Sequence, residues 1–202
     1  MGEDTDGGAP RRDGRSTDTA HRIREVALEL FIRQGFSRTT LQDIADELGL
    51  TRAALYYHHP SKDHLIASLV QPAKDDIDGF LTHAETDHLS TRELLEGFFD
   101  LNYRHRMIFL ALIRDPTGLG SVDAEGWVTQ LAAQAQRLLA GDEPTTDDRL
   151  RALVAINGLS RCATVLPDVP HDELREHSVA LAMEIVAGIR GHPGAEPGRQ
   201  PR

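Results

Sequence analysis

Residues 40–65, TLQDIADELGLTRAALYYHHPSKDHL, decide the fold of this chain. Thr40 stands where the N-cap of a helix belongs, and Asp43 follows three residues later, as in a capping box. Apolar residues then recur at helical spacing from Leu41 until Gly49, which suits the left-handed conformation that ends many helices. These signals predict a short helix of about two turns.

A second short helix follows across a turn that contains glycine. Thr51 is its predicted N-cap, and Pro60 stops it because the residue before a proline avoids the α region. Two short helices joined in this way match a helix-turn-helix, whose second helix enters the major groove of DNA. Arg52 begins that helix and has a side chain that can bind guanine through two hydrogen bonds.

Helical spacing also governs the rest of the chain, so the predicted fold class is all-α. Helix 1 carries one apolar stripe and ends at Gly35. Ser61 is the predicted N-cap of a fourth helix, which either ends at Pro72 or continues past it to Leu81. Further helices are predicted at residues 91–106, 107–114, 124–140, 147–166 and 172–190.

Composition divides the chain into four parts. Residues 1–16 and 191–202 are rich in Gly, Pro, Asp and Arg without apolar periodicity, so both are expected to be disordered tails. Between them, residues 17–70 are predicted to form a three-helix domain with the helix-turn-helix. Residues 71–190 are predicted to form a second domain, a bundle of helices.

The formal net charge of -10 is unusual for a protein that binds DNA, but it is unevenly distributed. Residues 15–71 carry seven basic and seven acidic side chains, whereas residues 72–202 carry thirteen basic and twenty-one acidic ones. A neutral segment can still present a basic face to DNA if its acids point elsewhere. The charge distribution therefore permits DNA binding without indicating it.

Cysteine, histidine and hydropathy patterns suggest neither a metal, nor a cofactor, nor a membrane span. Cys162 is the single cysteine and lies on an apolar helix face, so we expect a core residue without a disulfide. The histidines form no pair at a spacing typical of metal ligands. Charged residues interrupt the most apolar stretch, residues 150–166. We expect a soluble, cytoplasmic protein.

An ordered set of residues runs from the first predicted helix into the fourth. This set comprises Ala27, Leu30, Phe31, Gly35, Phe36, Thr40, Ile44, Ala45, Gly49, Leu55, Tyr56, Tyr57, His58, Ser61, Lys62, Asp63 and Leu65. With these residues, the N-terminal part of the chain, over roughly residues 17–70, resembles the DNA-binding domain of the TetR family.

The resemblance implies a fold of nine helices and a transcriptional regulator, a repressor that leaves its operator DNA when a small molecule binds. It implies a pocket within residues 75–190 and a homodimer through the last two helices, Asp147–Leu166 and Asp172–Arg190. It also implies two kinds of DNA contact. Phosphate contacts are implied for Thr40, Thr51, Tyr57, His58 and Lys62, and base or groove contacts for Arg52, Ala53 and Tyr56.

His59 departs from the family pattern, which usually has phenylalanine between the third and fourth helices. A buried neutral imidazole needs hydrogen-bond partners, and burial disfavours its charged form. We therefore expect either a junction that water reaches or one that is sensitive to pH.

Two groups of residues are candidates for the effector pocket. Aromatic side chains concentrate in the middle of the second domain, as an apolar ligand requires, although a helical core uses the same residues. Two polar side chains also interrupt an apolar helix face and need ligand, water or another subunit as partner. The predicted pocket residues are Phe98, Tyr103, Trp127, Asn157 and Arg161.

The last helix is apolar on two faces, one of which carries Leu181, as expected for a helix shared between a core and a symmetric interface. Two other functions stay open. A helical-bundle enzyme is disfavoured because the sequence offers no nucleophile–base pair, metal constellation or nucleotide loop. A DNA-architectural protein that binds no ligand is also disfavoured, because over half of the chain would then have no function.

Overall fold

The computed structural model describes residues 13–121, 124–166 and 168–189, and the regular secondary structure within these ranges is entirely helical. Nine α-helices follow one another there, with a 3₁₀ helix at Pro116–Ser121 between the sixth and the seventh. The predicted all-α class is confirmed. The helices are α1 Asp13–Gln34, α2 Leu41–Leu48, α3 Arg52–His58, α4 Lys62–Thr86, α5 Thr91–Arg104, α6 Arg106–Arg114, α7 Ala124–Ala140, α8 Thr146–Val165 and α9 His171–Val186.

The predicted caps delimit the helices of the helix-turn-helix. The Thr40 hydroxyl accepts a hydrogen bond from the Asp43 N–H at 3.1 Å, and the Asp43 carboxylate accepts one from the Thr40 N–H at 2.8 Å. Thr51 and Ser61 cap α3 and α4, each accepting from the N–H three residues later. Gly49 ends α2 with a φ of 64°, which glycine adopts at little cost. The capping predictions are confirmed.

The ends of the helical region differ from the predicted boundaries. Helix α1 begins at Asp13, so residues 13–16 are helical and do not belong to the expected tail. Extending a helix that has already formed costs little, because each added residue gains its own hydrogen bond. Helix α9 ends at Val186, earlier than predicted. The predicted tail segments 1–12 and 191–202 lie outside the described residues.

Helix α4 passes through Pro72 and extends to Thr86. The alternative in which the helix ends at Pro72 is therefore wrong. Proline lacks the backbone N–H, so the helix loses one hydrogen bond there but can continue when packing on both sides holds it. The 25 residues of α4 reach from the helix-turn-helix deep into the second domain.

One apolar cluster holds the first four helices together. Phe31, Ile44 and Leu55 are completely buried in it. Helix α6 also joins this cluster through Ile108 and Ala111, although it follows α4 and α5 in the chain. The helix-turn-helix is therefore packed directly against part of the second domain, across the boundary predicted at residue 70.

Two further clusters form the core of the second domain. The larger one lies mainly between α5, α8 and α9, and the smaller one brings α4, α5 and α7 together around Trp127. Helices α8 and α9 pack against each other along much of their length. Among the helices in the described ranges, none is long and apolar enough to cross a membrane.

Candidate nucleic-acid interface

Helix α3 exposes the side chains that the sequence assigns to DNA. Leu55 faces inward and is completely buried, whereas Tyr57, two residues later, is 82% exposed. This arrangement follows from helical geometry, because one buried position anchors the helix and the opposite face stays free. The exposed DNA candidates are Thr40, Thr51, Arg52, Ala53, Tyr56 and Tyr57, and His58 and Lys62 are half-buried.

Arg52 lies along the surface of α3 against Tyr56. Its guanidinium donates a hydrogen bond to the Tyr56 hydroxyl at 3.1 Å and stands 5.1 Å from the centre of the tyrosine ring. Both contacts are possible because residues four apart share one helix face. A guanidinium has five N–H donors, so Arg52 keeps donors for a base edge.

A groove separates the N-terminus of α2 from the N-termini of α3 and α4. Its volume is about 520 Å³, and we call it the α2–α4 groove. The N-terminus of a helix carries partial positive charge and free N–H groups, which favour anions such as phosphate. The groove is lined by Thr39, Thr40, Leu41, Gln42, Arg52, Tyr56, Pro60, Ser61 and Lys62.

Lys62 reaches from the start of α4 to the turn between α1 and α2. Its ammonium donates hydrogen bonds to the backbone carbonyl oxygens of Phe36, at 2.9 Å, and Thr39, at 3.2 Å. Two of its three N–H donors are therefore used within the protein.

The same turn is held on its other side by Asp115, which follows α6. Asp115 accepts from the N–H of Ser37 at 3.0 Å and from its hydroxyl at 3.1 Å. Hydrogen bonds from the Thr117 hydroxyl and from the Ser37 N–H hold the pKa of Asp115 well below its usual range. Gly35 has a φ of 89°, and a Cβ there would lie 2.7 Å from Oδ2 of Asp115, so this close approach requires glycine.

His59 is buried at the junction of α3 and α4, with 4% of its surface exposed. Its Nδ1 lies 3.3 Å from Nδ1 of His64, and its Nε2 has no hydrogen-bond partner among the described residues. Burial, followed by the nearby charge of His64, lowers the pKa of His59 to about 4. Of the two expectations for this junction, access of water or sensitivity to pH, these features favour sensitivity to pH.

The predicted pocket residues do not come together in one place. Phe98 belongs to the larger core cluster of the second domain, and Tyr103 packs against that cluster. Trp127 belongs to the smaller cluster. Asn157 and Arg161 are exposed on α8. The Asn157 amide donates back to the Leu153 carbonyl at 2.8 Å.

A cleft of about 560 Å³ opens between α4 and α7, beside Trp127. The Trp127 indole N–H donates to Asp78 at 3.0 Å, and the ammonium of Lys74 lies 5.9 Å from the tryptophan ring. We call this opening between the two helices the α4–α7 cleft. Its lining is largely polar and comprises Lys74, Asp78, Thr82, Gly126, Trp127, Gln130, Leu131 and Gln134.

Some residues of this region were not identified from the sequence. Gln42 is exposed near the start of α2 and lines the α2–α4 groove, a position that the predicted N-terminus of α2 could have indicated. Asp115 and Ser37 lie 78 positions apart, and no periodicity signals their contact.

Comparisons with known proteins agree with this geometry. Residues 23–69 match the family model described as bacterial regulatory proteins, tetR family. The chain is 31% identical over 175 residues to the transcriptional regulator TtgR of Pseudomonas putida, covering 75% of this chain and 82% of the relative. It is 30% identical over 101 residues to the transcriptional repressor KstR2 of Rhodococcus jostii, a match that covers 50% of this chain and 46% of that protein.

A solved structure extends the likeness beyond the helix-turn-helix. A TetR-like transcriptional regulator from Rhodococcus sp. RHA1 superimposes with a TM-score of 0.64 at 25% identity, covering 90% of this chain and 100% of the other. The fold, the matched helix-turn-helix and the long match to TtgR lead to one assignment: the chain belongs to the TetR family of bacterial regulatory proteins.

Proposed function

We propose that the chain is a homodimeric repressor that binds operator DNA through its helix-turn-helix and leaves the DNA when a small molecule binds its second domain. The observation that supports DNA binding is the exposed face of α3. The buried Leu55 anchors the helix, and Arg52 and Tyr57 are exposed on its surface. A recognition helix in the major groove needs such a face. Binding to DNA would place the protein in the cytoplasm.

The contacts that we propose follow the position of each residue. Arg52 reads a base, because it begins α3 and retains free N–H donors. Ala53 and Tyr56 line the major groove beside it. Thr40, Thr51, Tyr57 and His58 contact phosphates, where the exposed caps of α2 and α3 offer hydroxyl and backbone groups.

We assign the dimer interface to the outer faces of α8 and α9. Leu181 is 58% exposed and Val154 55% exposed, which is unusual for large apolar side chains unless a partner covers them. Asn157 and Arg161 lie on the same helix, α8, and are also exposed, so another subunit explains them better than a pocket does. Pairing through two helices holds two copies of α3 at the separation of adjacent major grooves, about 34–36 Å.

The effector site that we favour is the α4–α7 cleft, of which Trp127 is the sequence-predicted member. Its carboxylate, amide and hydroxyl groups suit a ligand with hydrogen-bonding groups around an apolar body. Helix α4 borders the cleft through Lys74 and Asp78 and begins beside the α2–α4 groove, so it links the two regions within one element. We assign Phe98 and Tyr103 to the larger core cluster of the second domain and not to this site.

Footprinting on the DNA that flanks its own gene tests this proposal. Protection of a palindromic segment by the wild-type protein is expected, with loss of protection when a small-molecule extract of the host cell is added. Gln130→Ala removes an exposed side chain that lines the α4–α7 cleft, so it should keep the footprint and resist the extract. Uniform binding along the DNA without an effect of the extract would instead support an architectural protein, and no protection at all would contradict the proposal.

A further inference from the structure

We propose that Lys62 is a positioning residue of the DNA-binding domain and is not a phosphate contact. Its hydrogen bonds within the protein fix the distance between the two helix N-termini that border the α2–α4 groove. The inference rests on the proposed DNA binding. It departs from the phosphate contact that the family resemblance implies for this lysine. The geometry of its ammonium, which lies against two backbone carbonyls, points to this role.

The turn between α1 and α2 contains backbone groups that helices do not satisfy. Phe36 and Thr39 are both buried, so their carbonyl oxygens need partners from within the protein. Lys62 supplies them at 2.9 and 3.2 Å. A charged donor stabilises a buried carbonyl more than a neutral donor does, and the low local dielectric strengthens the bond further.

The rest of the turn is fixed by side chains that leave it little freedom. The Thr39 hydroxyl donates to the Gly35 carbonyl at 2.8 Å and accepts from the amide of Gln34 at 3.2 Å. Asp115 holds Ser37 from the opposite side. Lys62 is the member of this set that connects the turn to α4.

The connection matters for DNA because Thr39 directly precedes Thr40, the N-cap of α2. Thr40 is exposed, and its backbone begins the helix on one side of the α2–α4 groove. Lys62 lies in the first turn of α4, on the other side of that groove. By binding the Thr39 carbonyl, Lys62 therefore fixes the distance between the two helix N-termini that border the groove.

The salt dependence of DNA affinity separates the two roles. A side chain that neutralises a phosphate contributes about 0.9 to the slope of log affinity against log salt concentration, so a dimer that loses two such contacts loses about 1.8. A positioning residue contributes nothing to this slope. The probe is a duplex that the wild-type protein selects from a random pool, and each affinity is measured from low to high salt.

Lys62→Met keeps the aliphatic stem and removes the ammonium. We expect affinity for the selected duplex to fall about tenfold with the wild-type salt slope, since bonds of this strength correspond to a change of that order. In hydrogen exchange, the backbone N–H groups of residues 35–41 should also exchange faster. A slope reduced by about 1.8 would overturn the inference.

Lys62→Gln keeps a neutral donor and serves as the second variant if Lys62→Met folds poorly. Its amide can still donate to one carbonyl, so a positioning role predicts partial recovery of affinity, again with the wild-type slope. Affinity as weak as that of Lys62→Met, together with a reduced slope, would show a phosphate contact. Arg38→Gln is the matched control, because Arg38 is an exposed cation of the same turn whose side chain, within the described residues, donates to the Gln34 carbonyl at 2.7 Å.

A coupling measurement completes the test. If Lys62 acts through Thr40, Lys62→Met should cost much less affinity in a Thr40→Ala background than in the wild type. Equal losses in both backgrounds would contradict the inference. A wild-type protein that enriches no duplex would overturn the proposed function itself, whereas a reduced slope with intact wild-type binding overturns the role of Lys62 alone.

Discussion

Asp115 and Ser37 are joined by two hydrogen bonds to one carboxylate oxygen, although 78 positions separate them in the chain. Oδ2 of Asp115 accepts from the Ser37 N–H at 3.0 Å and from the Ser37 hydroxyl at 3.1 Å. Oδ1 accepts from the N–H of Thr117. One side chain thus connects the segment after α6 to the turn that precedes α2.

Replacing Asp115 by Asn should weaken this connection. One of the two carboxylate oxygens becomes an NH2 group, which cannot accept, so the bonds to either Ser37 or Thr117 are lost. We expect the free energy of unfolding to fall by about 0.5 to 1 kcal/mol, a modest value because the site is only partly buried. Urea denaturation measures it. Asp142→Asn, in the exposed loop after α7, is the control, and equal stability of the two variants would contradict the prediction.

His59 should make the stability of the protein depend on pH. Its pKa of about 4 in the folded protein lies below the 6.5 of an ordinary histidine, so the unfolded state binds more protons between these values. The free energy of unfolding should therefore fall as pH falls through this window, with a contribution of about 2 kcal/mol lost between pH 8 and pH 5.

His59→Phe removes the titrating group and should flatten that dependence. Denaturation midpoints at pH 5 and pH 8 measure the effect. His88→Asn removes an exposed imidazole at a φ of 53°, which asparagine tolerates, and should leave the dependence unchanged. If His59→Phe and the wild type lose the same stability at pH 5, another group is responsible.

Arg52→Ala should reduce operator affinity by about 1–3 kcal/mol and relax the preference at one base pair in each half-site. Loss of the bidentate contact removes discrimination, whereas random DNA should be bound almost as before. Affinities for the operator, for its single-base variants and for random DNA provide the measurement. Arg92→Ala, at an exposed position of α5, is the control. Equal losses on operator and random DNA would show that Arg52 reads no base.

Leu181→Glu should give monomers that no longer bind the operator, because two half-sites need two linked copies of α3. A charge on the exposed face of α9 opposes burial against a partner but leaves the subunit core intact. Light scattering determines the mass. Met107→Glu alters a similarly exposed apolar residue on α6 and should remain dimeric. An unchanged dimer of Leu181→Glu would place the interface elsewhere.

The sequence by itself determined the helical class of the fold and the limits of the two short helices of the helix-turn-helix. Caps such as Thr40, Thr51 and Ser61 bond groups three residues away, and the apolar spacing of α2 and α3 sets which side of each helix is buried. These interactions are local, so their signals lie within one stretch of chain. The exposed face of α3, and with it Arg52, could be predicted for that reason.

Only the tertiary structure decided what the charged and buried polar groups contact. Lys62 turns to carbonyls more than 20 positions away, Asp115 reaches Ser37, and Asn157 faces outward on α8. A long side chain at the end of a helix can reach several neighbours, and helix packing selects among them. The partners are distant in the chain, so neither periodicity nor capping carries information about which contact forms.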